Sequence, residues 1–90
     1  MLEATTRLTN ALGLHARAAA QLVRLANGFK SSIMIKRRDN GVTANAKSIL
    51  SVLSIAASFG VELQMIADGP DEAHAIAAIS DLFEKKFGEE

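Results

Sequence analysis

His15 and Arg17 are the residues whose types and spacing favour a specific reaction, and they lie in the run Gly-Leu-His-Ala-Arg. A neutral imidazole is a nucleophile near pH 7, and at that pH a large fraction of histidine side chains is neutral. An arginine guanidinium binds phosphate oxygens through two parallel hydrogen bonds. The pair therefore indicates phosphoryl chemistry, with His15 as the acceptor and Arg17 as the group that stabilises the phosphate.

A helix would position this pair. The stretch from Ala16 to Asn27 is rich in alanine, and its apolar residues recur at helical spacing. His15 then becomes the N-cap, beside backbone N–H groups that have no intrahelical acceptor. A phosphate on the imidazole would meet these donors, and because a phosphoramidate is labile the group could be passed on. From spacing alone, a surface histidine beside an incidental arginine stays open as the alternative.

Period-two alternation of apolar and polar residues predicts four strands around this helix. They are expected at residues 2–9, as two short stretches around a turn at Gly41 within residues 31–46, and at residues 61–67. Gly28 is expected as a left-handed C-cap of the first helix. Two more helices are expected, a short one from about Ser48 to Ser54 and a last one with Pro70 as its first residue, which Gly88 terminates.

The element order β-α-β-β-α-β-α predicts an α+β fold, an open-faced β-sandwich. A four-stranded antiparallel sheet would carry three helices on one face, so that all elements share one core. A chain of 90 residues without an internal repeat is expected to form a single domain over residues 1–90. Such a domain has little room for a deep cavity, so its function should lie on the surface.

Composition excludes several functional classes. Apolar residues make up 49% of the chain, and ten acidic residues balance ten basic ones, so nothing indicates attraction to nucleic acid or to an anionic membrane. The chain has no cysteine, which suits a reducing compartment, and we expect a cytoplasmic protein. No signal-peptide pattern and no apolar run of roughly 18 residues is present, so neither secretion nor membrane insertion is predicted.

Three blocks of the sequence carry a resemblance to a known family. They are NALGLHARAAAQLV at residues 10–23, NAKSILSVLSI at residues 45–55 and ADGPDEAHAIAAI at residues 67–79. Over almost its whole length, the chain resembles the HPr family, the histidine phosphocarrier proteins of the bacterial phosphoenolpyruvate-dependent phosphotransferase system. The resemblance implies that enzyme I phosphorylates His15 on Nδ1, that an EIIA-type domain receives the phosphoryl group, and that Arg17 steadies the phosphate.

One residue departs from the family pattern. The motif usually continues His-Ala-Arg-Pro, whereas this chain has Ala18 in place of the proline. A proline early in a helix fixes φ and lacks an N–H group that would otherwise have no acceptor. Ala18 is therefore expected to alter the phosphate geometry or the transfer rate, and we place it among the partner-binding positions.

The second helix is predicted to bind partner proteins. Its apolar residues cannot all lie on one narrow stripe, so part of that surface should face water. The resemblance assigns Ile49 and Leu50 to recognition, and we place Lys47 beside them. In the alternative interpretation Ile49 and Leu50 are core residues, because a shift of one or two residues in helix phase would bury them. Arg24 would join Arg17 in a basic rim that steers acidic partners.

Ser48 has two interpretations. As an N-cap its side-chain oxygen would stabilise the short helix by about 1 kcal/mol, which is sufficient to explain the residue. The resemblance also places Ser48 where HPr of many bacteria is phosphorylated by a dedicated kinase, an HPr kinase/phosphorylase. A dianion at Ser48 would oppose partners that must bury Ile49 and Leu50.

No other constellation indicates catalysis. His74 is expected on the solvent face of the last helix, and the spacing supplies no converging metal ligands. A Gly-rich phosphate loop, a Ser-His-Asp order and paired catalytic carboxylates are all missing from the sequence. We therefore expect no metal and no cofactor, and a stoichiometric carrier with a transient phosphohistidine instead of a self-sufficient enzyme.

Two functional classes stay open. The first is a monomeric phosphoryl carrier of the sugar-uptake system, which serves enzyme I and EIIA-type domains. The second is a regulatory interaction protein whose phosphorylation state controls partner binding. The long hairpin KRRDNGVTANA and the ending KKFGEE resemble NPr, the carrier of the nitrogen-related branch, and they favour regulation.

Overall fold

Four strands form one antiparallel sheet in the order β1-β4-β2-β3. The computed structural model describes residues 1–88. Its elements are β1 (Leu2–Arg7), α1 (Ala16–Ala26), β2 (Ser32–Arg37), β3 (Thr43–Asn45), α2 (Ile49–Ser54), β4 (Glu62–Asp68), α3 (Glu72–Glu84) and a 3₁₀ turn (Lys86–Gly88). The predicted α+β class, the element order and the four-stranded sheet are confirmed.

The core lies between the sheet and the helices. Alternate residues of the two central strands are fully buried, with Ile35 opposite Met65 and Ile33 opposite Ala67. The buried stripes of α1 and α3 cover this face, and they comprise Ala18, Ala19, Leu22, Ala26, Ala75, Ile79 and Phe83. Complete burial of one large apolar side chain stabilises the fold by about 1.5–3 kcal/mol, so this layer holds the helices on the sheet.

The end of α1 differs from the prediction. Gly28 does not adopt a positive φ, so its expected role as a left-handed C-cap is wrong. Asn27 is the C-cap in a right-handed conformation, and the following N–H groups of Gly28 and Phe29 donate to carbonyls three residues earlier. Asn27 also donates its side-chain amide to Val23 O at 2.9 Å. The terminal carbonyls are therefore satisfied without a left-handed residue.

Both ends of α3 also differ from the prediction. Pro70 is not the first helical residue, because the helix begins at Glu72 with Asp71 as its N-cap. At the other end, the helix stops at Glu84, and Lys86 and Phe87 adopt positive φ values of 54° and 57°. This turn places the Phe87 ring edge-on against Phe83, with a centroid separation of 5.1 Å. Burial of Phe87 favours the early helix end over termination at Gly88.

None of the helices described over residues 1–88 is both long enough and apolar enough to cross a membrane.

Candidate functional site at the start of α1

His15 occupies the N-cap of α1, as its sequence position predicts. Its backbone is extended, with φ −77° and ψ 179°, and its carbonyl accepts the first intrahelical bond from the Ala19 N–H at 2.8 Å. The Nδ1 atom accepts a hydrogen bond from the Arg17 N–H at 3.3 Å. An accepting nitrogen carries its lone pair, so the Nδ1 lone pair faces the start of the helix.

The charges around His15 favour an anion. The first turn of α1 contains no acidic residue, and the helix dipole places partial positive charge there. Within residues 1–88, the N–H groups of Ala16 and Ala18 donate no hydrogen bond, and the exposed Arg17 guanidinium makes no hydrogen bond or ion pair. Two backbone donors and one cationic side chain are thus available to an anion bound at Nδ1.

The loop before His15 is fixed by backbone contacts. The Leu14 N–H donates to Ala57 O at 3.0 Å, and the Asn10 side-chain amide donates to Gly13 O at 2.7 Å. Gly13 has φ 66°, and a Cβ atom there would lie 2.7 Å from Ser58 Cα. Only glycine meets both demands without strain. This close contact sets the position from which His15 enters α1.

Sequence reasoning assigned no role to Gly13, Asn10 or Ala57. The glycine two residues before the histidine is the one signal that could have indicated a special backbone position. Its partner segment lies more than forty residues away in the chain, so the sequence does not show what Gly13 contacts.

The exposed face of α2 is apolar, and α2 packs against α1. Leu50 is 77% exposed, Ile49 38% and Leu53 36%, while Val52 is buried. The prediction that part of this helix faces water is confirmed, and the alternative that Ile49 and Leu50 are core residues is wrong. We call Ile49, Leu50 and Leu53 the α2 face.

Comparison with known proteins decides the family. A sequence model described as the PTS HPr component phosphorylation site matches residues 2–85. The chain belongs to the HPr family. It is a phosphocarrier of the phosphotransferase system, as the resemblance implies, and partner proteins of that system such as enzyme I and EIIA follow from membership.

Relatives of this HPr-family chain share its full length. The phosphocarrier protein HPr of Treponema pallidum is 46% identical over 90 residues and covers 100% of both chains. The phosphocarrier protein NPr of Escherichia coli strain K12 is 37% identical and covers 96% of this chain and 94% of its own. The crystal structure of HPr-C-His from Thermoanaerobacter tengcongensis has 43% identity, a TM-score of 0.93 and coverage of 100% and 99%.

Two of the predicted partner-binding residues require correction or refinement. The Ala18 side chain has no exposed surface, so direct contact between it and a partner is excluded in this conformation. Any effect of Ala18 must act through its backbone N–H or through packing.

Lys47 is half-buried, and its ammonium group donates to Phe29 O at 2.7 Å. This bond ties the start of α2 to the end of α1 and leaves two ammonium protons for a partner.

The other predicted residues lie on the surface. Arg24 is exposed on the same side of α1 as Arg17, because the two are seven residues, about two helical turns, apart. Ser48 is the N-cap of α2, as predicted, and its Oγ accepts from the Ser51 N–H at 3.3 Å. His74 is exposed on α3, and no group of three or more potential metal-ligating side chains converges within residues 1–88.

Proposed function

We propose that His15 is the phosphoryl-acceptor residue of this phosphocarrier. The observation that supports the proposal most directly is the hydrogen bond from the Arg17 N–H to Nδ1 at the start of α1. In the transfer step, the Nδ1 lone pair forms a bond to phosphorus while the bond from phosphorus to the donor group of enzyme I breaks. The leaving electron pair stays with the donor group, and the ring proton stays on Nε2.

The helix start stabilises the product. The phosphoryl group on Nδ1 takes the place of that lone pair, so the Arg17 N–H then donates to a phosphate oxygen. The Arg17 guanidinium, exposed on the first turn, supplies two further parallel donors. Because these interactions are individually weak in water, the phosphate is held but can still be released to an EIIA-type domain.

Removal of the imidazole tests this assignment, and the chain supplies its own control in its second histidine. We expect His15→Ala to accept no acid-labile label from enzyme I and labelled phosphoenolpyruvate, with an unchanged circular dichroism spectrum. His74→Ala should accept label as the unmodified chain does, since His74 lies on α3 away from the site. Label on the His15→Ala variant would refute the assignment.

Partner docking is proposed to use the α2 face, with Arg17 and Arg24 as a basic rim and Lys47 at its edge. The exposure of Leu50 supports this, because an apolar side chain that is 77% exposed contributes little to the fold. Leu50→Glu should weaken binding to enzyme I by about 10- to 100-fold and leave the melting temperature nearly unchanged. A larger loss of stability than of binding would show that Leu50 supports the fold.

We further propose the sugar-uptake branch, a monomeric state and a cytoplasmic location. The higher identity to HPr than to NPr supports the branch. The hairpin and the KKFGEE ending favour the alternative, a regulatory NPr-like protein, although the last two residues of that ending lie outside the described part of the chain. Incubation with enzyme I of each branch and a panel of EIIA domains decides between them. Analytical ultracentrifugation tests the monomer.

Ser48 is proposed as a regulatory phosphorylation site for an HPr kinase/phosphorylase. Its proximity to the α2 face supports this, because a dianion next to Ile49 and Leu50 disfavours their burial in an interface. Incubation with such a kinase and ATP should label the chain but not Ser48→Ala. Label that persists in Ser48→Ala would place the modification elsewhere.

A further inference from the structure

Arg37 joins the β2–β3 hairpin to the end of α2. Its Nη1 donates to the carbonyls of Ile55 at 3.0 Å and Ala56 at 3.2 Å, and its Nε donates to Asp39 Oδ1 at 2.7 Å. The side chain is 20% exposed. Its backbone N–H is bound to Val42 O at 2.8 Å, so both ends of the residue are fixed.

The two carbonyls lie in a segment that needs support. Ala56 adopts φ 53°, a left-handed conformation that a residue other than glycine keeps only when its surroundings hold it. The carbonyls at the end of α2 also carry the negative end of the helix dipole, where a guanidinium binds well. Arg37 therefore restrains the chain at the place where α2 turns towards the site.

The same segment anchors the loop of the acceptor histidine. Ala57, the residue after Ala56, accepts the hydrogen bond from the Leu14 N–H at 3.0 Å, and His15 follows Leu14 directly. Gly13 also approaches Ala57 and Ser58 closely. The contacts form one continuous connection from Asp39 through Arg37 to Ala57 and Leu14.

We propose that Arg37 is a positioning residue for phosphoryl transfer, which holds the Ile55 and Ala56 carbonyls so that Ala57 fixes Leu14 and thereby the His15 imidazole. The inference rests on the proposed role of His15. Arg37 touches neither the phosphate nor the imidazole, and it acts through the backbone alone.

Arg38 provides the matched control. It is the adjacent arginine, its guanidinium pairs with Glu62 at 3.0 Å, and among the described contacts its side chain makes no bond to residues 55–57. Loss of either arginine removes one positive charge and one ion pair from the same hairpin. Only Arg37→Ala releases the carbonyls at the end of α2.

The first readout is the steady-state rate of phosphorylation by enzyme I. The concentration of this protein is varied as the substrate, at a temperature well below its melting temperature, so that kcat and KM are both obtained. A displacement of about 1 Å between reacting groups can lower the rate about 100-fold. Arg37 acts only through the backbone, so Arg37→Ala should cause a smaller displacement of His15 and lower kcat about tenfold. Arg38→Ala should leave kcat unchanged, and Arg37→Lys should recover part of the loss. If Arg37 were merely structural, Arg37→Ala would reduce the folded fraction and raise KM, with kcat at saturation unchanged. That pattern would overturn the proposal.

Amide hydrogen exchange of the unphosphorylated chain gives the second readout. In Arg37→Ala, the Leu14 N–H should exchange faster while amides of β4 keep their protection, and in Arg38→Ala both should stay protected. Unchanged exchange at Leu14 would refute the structural connection. The hydrogen-exchange measurement does not depend on phosphorylation. If the protein without any substitution accepts no label from enzyme I, the proposed role of His15 is disproved separately from the proposed role of Arg37.

Discussion

The helices α1 and α3 both begin close to the protein surface, but they satisfy their positive ends in opposite ways. At α1 the cap is an imidazole, and no acidic side chain lies in the first turn. At α3, Asp71 and Glu72 occupy the corresponding positions. The start of α3 thus has carboxylates of its own helix beside it, whereas the first turn of α1 has none, which agrees with the proposed transient binding of a phosphoryl group there.

The carboxylates at α3 are held by firm contacts. Asp71 accepts hydrogen bonds from the Ser31 hydroxyl and from the N–H groups of Lys30 and Ser31, the last two at 2.9 Å. These bonds, above all that from the Ser31 hydroxyl, lower the pKa of Asp71 to about 2. Glu72 accepts from the Gly69 N–H at 3.1 Å and pairs with the terminal ammonium of Met1.

Each N-terminus therefore has a distinct task. The carboxylate of Asp71 makes no cap bond to its own helix and instead connects α3 to the segment before β2. Because this carboxylate is part of the chain, it stabilises the fold and cannot dissociate from the helix start. The imidazole at α1 accepts a long hydrogen bond from the Arg17 N–H at 3.3 Å, and a bond of this length suits the proposed phosphoryl group that is bound for one step only.

The largest expected effect comes from giving α1 the chemistry of α3. His15→Asp places a carboxylate at the N-cap, where aspartate is among the preferred residues, so the melting temperature should rise while phosphoryl acceptance is abolished. His15→Asn, an equally good cap without charge, separates capping from charge. Thermal unfolding and labelling by enzyme I measure both effects. A fall of the melting temperature in both variants would contradict the capping argument.

A second large effect is expected where backbone contact fixes the site. Gly13→Ala should destabilise the protein by about 2–4 kcal/mol, since it adds left-handed strain to overlap with Ser58. Gly41→Ala is the control, because Gly41 has φ 75° but a Cβ atom there would meet no other atom within 4 Å, so only the strain of about 1–2 kcal/mol applies. Urea unfolding compares the two variants. Equal losses would show that the contact with Ser58 is unimportant.

The Asp71 carboxylate at the start of α3 should make the stability of the fold depend on pH. The folded pKa of Asp71 is about 2 and its ordinary value is 3.8, so its contribution to stability is complete above about pH 4 and is lost as the pH falls towards 2. Asp71→Asn should flatten that part of the stability profile and leave phosphoryl acceptance at pH 7 unchanged. Asp81→Asn, which removes an exposed ion pair with Lys85, should keep the slope of the unmodified chain. An unaltered slope in Asp71→Asn would assign the acid sensitivity to other carboxylates.

Local signals in the sequence predicted the start of α1 correctly but not the start of α3. An alanine-rich run places His15 at the N-cap through interactions within one helical turn. The position of Asp71 depends on Ser31, forty residues away, and that contact favours a helix start at Glu72 over one at Pro70. Burial of Ala18 is also non-local, because it depends on which side of α1 meets the sheet. Sequence therefore predicted that His15 caps α1 and missed the contacts that orient it.

The smallest expected effect concerns Ala18, the third residue of α1. Its N–H donates no hydrogen bond within residues 1–88, so a proline there removes nothing that the described fold uses. Ala18→Pro should stabilise the protein by about 0.4–1 kcal/mol, because proline restricts the unfolded chain. Phosphoryl transfer should persist, since the Arg17 N–H and guanidinium are retained.

Ala20→Pro is the matched control, because the N–H of the fifth helical residue lies within the hydrogen-bonded part of α1 and its loss should cost about 3 kcal/mol or more. Thermal unfolding and transfer rates for both variants test the comparison. Ala18 is buried, so a pyrrolidine ring that does not fit would lower stability without affecting transfer, and that result would contradict the predicted stabilisation. Loss of both stability and transfer in Ala18→Pro would instead show that its N–H holds the phosphate, and that the start of α1 uses one donor more than the family proline permits.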